Sequence, residues 1–158
     1  MALTERLFFI FGVIMSDYSV IVGAESPGCM VDSSIMVING SFVCGDEFIA
    51  PGKIVRLSHI TNGYKIASIN GVLVIGVAVR PQDSCTYEEG DPVNVASRGR
   101  VWCITSESEA PEYGNKVFVT PDGDASYSEG DLLSGWFFTG DHVKTGPDSY
   151  IVGVSVNA

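Results

Sequence analysis

The chain has 158 residues, 46% of them apolar and only 18% charged, with a net charge of −10. That length suits one domain able to bury about two-thirds of its unfolded surface without metals or disulfides, and the apolar content excludes a disordered chain. Nine Lys plus Arg set against nineteen Asp plus Glu argue against nucleic-acid binding, because phosphate neutralisation needs clustered cations.

At the N-terminus, MALTERLFFIFGVIM holds an apolar run from Leu7 to Met15. A transmembrane helix needs about 20 apolar residues, so no membrane span is expected there. Arg6 before the run and Val22, Gly23 and Ala24 after it outline a signal peptide, but Glu5 cancels the positive flank and Asp17 interrupts the region. Met15-Ser16-Asp17-Tyr18 reads as an ordinary start, and this late start ranks ahead of the signal. Residues 1–14 are thus expected to be a start-codon overrun or signal-like segment, and residues 15–158 the domain.

Ser26-Pro27-Gly28 marks a turn. Within residues 35–44, IMVINGSFVC, Asn39-Gly40 predicts a hairpin, since Asn-Gly supplies the two positive φ angles of a type I′ turn. Asn39-Gly40-Ser41 is also a formal glycosylation sequon, a weaker reading than the turn. Asn62-Gly63 and Asn70-Gly71 repeat the device between residues 53–57, 64–68 and 72–79, which points to a meander or jelly-roll-like sandwich. Residues 72–79, VLVIGVAV, are uncharged and rich in β-branched side chains, as in a strand buried on both faces. Periodicity alone does not separate that run from a short buried helix.

A turn at Glu89-Gly90-Asp91-Pro92, an alternating Val93-Asn94-Val95 and a tight Arg98-Gly99-Arg100 leading into Val101-Trp102 leave almost no room for helix. Trp102 is expected in the core. Residues 116–120, KVFVT, alternate with period two and run into a Pro121-Asp122-Gly123 turn. Residues 86–91, TYEEGD, and 126–131, SYSEGD, match closely, a faint duplication or, more safely, one turn solution used twice. The last strand sets Val152, Val154 and Val156 on one face. Taken together, the elements predict an all-β fold: a single compact β-sandwich or jelly-roll-like domain built of short antiparallel strands.

Four cysteines, Cys29, Cys44, Cys85 and Cys103, form no C-x-x-C, and His59 and His142 are the only histidines, so a zinc site lacks its signature. Free, buried thiols are favoured over disulfides, with export the one circumstance that would reverse this. No G-x-S-x-G elbow, H-E-x-x-H helix or phosphate loop is present, and each histidine is expected to serve a structural role. Acidic turns (Glu88, Glu89 and Asp91; Asp122, Asp124, Glu129 and Asp131) lack calcium-loop spacing. The chain is therefore expected to be no enzyme and to use no metal or cofactor.

Trp136-Phe137-Phe138 stand in sequence between Gly135 and Thr139. An extended chain must turn at least one of the three rings away from its own core, which makes them candidate partner anchors. Truncating all three is expected to abolish attachment without unfolding the domain. Arg98 and Arg100 join them as candidate contacts, and with Arg80 they are the nearest thing to a basic cluster.

Residues 76–79 (GVAV), 87–93 (YEEGDPV) and 98–102 (RGRVW), continued by 114–119 (GNKVFV) and 151–156 (IVGVSV), resemble the tailed-bacteriophage capsid cement, or decoration, proteins. The pattern there is a G-x-A strand, a Y-x-x-G-x-P-V turn and an R-G-R-V-W/I strand. The similarity covers residues 70–157, with a looser fit over 17–69. It implies a virion structural protein on the capsid exterior, made in the host cytoplasm, bridging major capsid protein subunits as a homo-oligomer, dimer or trimer. The competing expectation is an exported β-domain with disulfides that binds a ligand or carbohydrate.

Overall fold

The computed structural model describes residues 26–81 and 86–158, and all of the regular structure in them is strand. The alternatives for residues 1–14, and Cys85, lie outside the described residues. The strands are β1 (Val37–Cys44), β2 (Phe48–Ile49), β3 (Ile54–Thr61), β4 (Tyr64–Ser68), β5 (Leu73–Ala78), β6 (Tyr87–Glu88), β7 (Pro92–Thr105), β8 (Lys116–Val119), β9 (Ala125–Ser126), β10 (Asp131–Gly146) and β11 (Ser149–Asn157).

One sheet runs β1-β4-β3-β5-β7-β11-β10-β8-β9, and β1 also pairs with β7, so β1, β4, β3, β5 and β7 close into a five-stranded ring. Strands β2 and β6 pair separately. The long β7 belongs to both halves: its first residues close the ring against β1, and its second half pairs with β11 from Arg98 to Thr105. Gly99, with φ of 120°, sits where the strand passes from one to the other, and a Cβ there would press on the backbone of Met36.

Three ring strands carry apolar side chains on both faces. Val55, Ala78 and Val95 point into the ring, with Phe42, Cys44, Ile49, Tyr87 and Val93. Their immediate neighbours Ile54, Val77 and Ala96 point out, against Val152, Val154 and Val156 of β11 and Trp136 and Phe138 of β10. Successive strand residues face opposite sides, so both layers are packed from the same three strands. Residues 72–79 meet the expected double burial only at their end. Val72 and Leu73 are exposed, because β5 begins at the rim of the ring.

The fold is all-β as expected, with three differences of detail. First, Asn39-Gly40 makes no hairpin: β1 runs straight through it, and the extra residues become a bulge against β7 between Asn39 and Phe42. The Asn39 carboxamide accepts the Ser41 N–H and hydroxyl, so the polar pair is satisfied locally while the strand continues. Asn62-Gly63 does form the expected two-residue turn, with φ of 50° and 81°. Second, Asn70-Gly71 joins β4 to β5 across β3, which lies between them, so this part is no meander. Third, β1 and β4 are parallel, and β7 and β10 have 14 and 16 residues rather than being short. Pro121-Asp122-Gly123 forms the expected turn, closed by the Gly123 N–H on the Thr120 carbonyl at 3.0 Å.

Candidate partner-binding face

Of the five residues proposed from sequence as partner contacts, the structure turns two inward. Trp136 is 5% exposed and Phe138 1%, both in the core between the ring and the second sheet. Phe138 meets Tyr127 edge-on, with ring centroids 6.3 Å apart. The expectation that all three rings can be truncated without unfolding is corrected here, because two of them fill the interior.

Phe137, between them, faces the other way. It stands opposite Ser155 of β11 and opposite Lys116 of β8, and Ser155 stands opposite Arg100 of β7. Directly opposed residues project on the same side of a sheet, with Cβ atoms about 5 Å apart. Arg100, Ser155, Phe137 and Lys116 therefore form one row across four strands, on the face away from the core. Tyr113 leans on Phe137 with centroids 5.6 Å apart at 57°, and is itself 67% exposed. Arg98 is exposed one row along, opposite Asn157.

Arg100 is held in place. Its Nη1 donates to Asp32 Oδ2 at 2.9 Å, and the Ser34 N–H donates to Asp32 Oδ1 at 2.8 Å. Hydrogen bonds from Ser34, first of all, and the Arg100 charge hold the Asp32 carboxyl below its ordinary range. Within this row the Arg100 guanidinium and the Tyr113–Phe137 ring pair are the kinds of side chain that carry binding energy in protein interfaces. Sequence reasoning missed Tyr113 and Lys116. The alternation of β8 held the signal for Lys116: with Val117 and Val119 buried, it must face outward.

Both histidines and the acidic residues Asp124 and Asp131 are engaged in structure. His59 Nδ1 lies 3.0 Å from the Ser58 hydroxyl, and His142 stacks on Tyr150 with its Nε2 2.8 Å from the Glu107 carbonyl. Asp124 pairs with Lys53 and Asp131 with Arg56. Among the described residues, no three His, Cys, Asp or Glu stand close enough to hold a metal. Cys44 and Cys103 are buried and Cys29 is half-buried, all three as free thiols. Burial pushes the Cys103 thiol far up. Trp102 is buried, as expected.

The family model of the XM1 gp53 minor capsid protein matches residues 15–156. Among solved structures, a chain of "The capsid of Myoviridae Phage XM1" superposes with a TM-score of 0.60 at 16% identity, covering 84% of this chain and 90% of that one. Among curated proteins no relative matches. The chain belongs to the XM1 gp53 minor capsid protein family, and its role is structural, in the virion.

Proposed function

We propose that this protein decorates the exterior of a phage capsid and stabilises it by bridging neighbouring major capsid protein subunits. The observation that carries this role is the family match over nearly the whole chain. It is supported by the outward-facing row of Arg100, Phe137 and Lys116, with Arg98 and Tyr113 beside it. No step of chemistry is involved. A protein that binds the assembled shell but not loose subunits stabilises the shell by mass action, as any ligand specific for one state does. A contact of about 800 Å² per partner is enough for specific binding. Assembly into a dimer or trimer would add avidity by presenting two contacts at once.

The experiment is a binding assay on purified heads that lack this protein. Added chain should sediment with the heads at saturating, stoichiometric copy number and should ignore unassembled major capsid protein. Equal binding to loose subunits, or none to heads, would refute the role. Within that assay, Phe137→Ala, Arg98→Ala and Arg100→Ala each test the contact face, and Trp136→Ala or Phe138→Ala does not, because both residues belong to the core.

A further inference from the structure

Between Glu47 and Asp83 the sequence contains no Asp or Glu, yet it holds Lys53, Arg56, Lys65 and Arg80, in a chain whose net charge is −10. That stretch builds most of the five-stranded ring, and the structure gives the ring two unlike ends. At one end, β1 finishes at Cys44 beside the small β2–β6 sheet, where Asp46, Glu47, Glu88, Glu89 and Asp91 gather; the Cys44 carbonyl accepts the Gly90 N–H and the Asp91 carbonyl accepts the Cys44 N–H. At the other end the β3–β4 hairpin carries residues 59–65, every one of them exposed.

At that second end the exposed apolar side chains are Ile60, Val72 and Leu73, set among His59, Thr61, Asn62, Tyr64 and Lys65. Ile60 lies opposite Lys65, and Lys65 opposite Phe42, so the three share the inner side of the ring, with the Lys65 Nζ 5.7 Å from the Phe42 ring centroid. Leu73 lies opposite Leu57 on the same side. Ile60 and Leu73 are each 62% exposed and Val72 is 88% exposed. The rim thus combines exposed apolar side chains with Lys65, and the Asp131 carboxylate on the surface beside Gly71 is paired with Arg56; opposite an acidic end, it is complementary to an apolar surface that bears carboxylates.

Resting on the role proposed above, we infer that the rim formed by Ile60, Lys65, Val72 and Leu73 is a second docking surface, and that it seats on an apolar, carboxylate-bearing patch of the assembled shell's protein surface. The acidic end, repelled by the same carboxylates, is held away from the shell, which fixes the orientation of the barrel. Together with the Arg100–Phe137 face, on a different part of the molecule, the rim gives one chain the two contacts that bridging requires.

The test uses purified heads lacking this protein, with wild type, Ile60→Ser/Leu73→Ser and Lys65→Glu compared by co-sedimentation. All three substituted residues are exposed, and thermal melts near wild type would verify folding. The double variant is expected to bind at least about tenfold more weakly, the loss of an interface anchor. Lys65→Glu is expected to weaken binding in low salt, with a smaller difference from wild type in high salt. Wild-type binding with both variants unchanged would overturn the rim while leaving the decorating role intact; failure of the wild type itself would take down both. Conversion of a wild-type oligomer to monomers by the double substitution would assign the rim to a second copy and overturn the inference.

Discussion

Three consecutive rings, two turned into the core and one turned outward, give a sharp mutational contrast. Phe138 is 1% exposed and packs among Val117, Val154 and Tyr127. Deleting such a ring costs about 3–5 kcal/mol, transfer and cavity terms together. Each kcal/mol lowers Tm by about 2–4 °C in a domain of this size, so Phe138→Ala should melt roughly 6–20 °C below wild type. Trp136→Ala belongs to the same class. Phe137 makes its ring contact with Tyr113 on the outer face, an interaction worth about 0.5–1.5 kcal/mol. Its alanine variant, which removes a half-buried outer ring and no core side chain, should therefore lose clearly less Tm than Phe138→Ala. Differential scanning fluorimetry and near-ultraviolet circular dichroism on the three single variants measure this directly. If Phe137→Ala destabilised the protein as much as Phe138→Ala, or if Phe138→Ala melted with wild type, the inward and outward assignment of β10 would be wrong. The triple variant, losing two core rings from a total stability of typically 5–15 kcal/mol, should be unfolded or nearly so.

Other consequences can be checked with the purified protein. Gly76 has φ of 144° where β5 crosses β7, and a Cβ there would collide with the Ala96 carbonyl oxygen; Gly76→Ala should cost at least about 2 kcal/mol by chemical denaturation, through backbone strain and displaced packing. Thiol labelling of native protein should find Cys103 protected until the domain unfolds, since burial raises its pKa and blocks access, whereas half-buried Cys29 should react first among Cys29, Cys44 and Cys103. Asp32 has a depressed folded pKa, so its contribution is present above the unfolded value near 4 and is lost as pH falls through the lower folded value. Asp32→Asn should accordingly lower Tm slightly at pH 7, with the difference from wild type closing as pH falls through the folded value, as pH-dependent melts would show.

Much of this fold is legible in local residue patterns. Val152, Val154 and Val156 announce a half-buried last strand, and Asn62-Gly63 and Pro121-Asp122-Gly123 adopt the turns that their φ preferences dictate. What is not legible depends on pairing between distant segments. Asn39-Gly40 has the chemistry of a hairpin turn, but the pairing of β1 with β7 on both sides of it outweighs the local preference and absorbs it as a bulge. Closure of the ring rests on that same distant pairing. The contact face follows the same division. That one of the three rings must face outward is a matter of strand period, but that the outward ring is Phe137, aligned with Arg100 and Lys116, follows from the register of β7, β11, β10 and β8. Tyr113 joins the face from a loop, where no periodicity points to it.

The most direct measurement of the central claim is the temperature at which phage heads release their DNA, followed with a dye excluded from intact particles. Heads lacking this protein should open at a lower temperature than complete heads, and adding back purified wild-type chain should restore the difference while Phe137→Ala restores less. Identical release temperatures with and without bound protein would contradict a stabilising, bridging role.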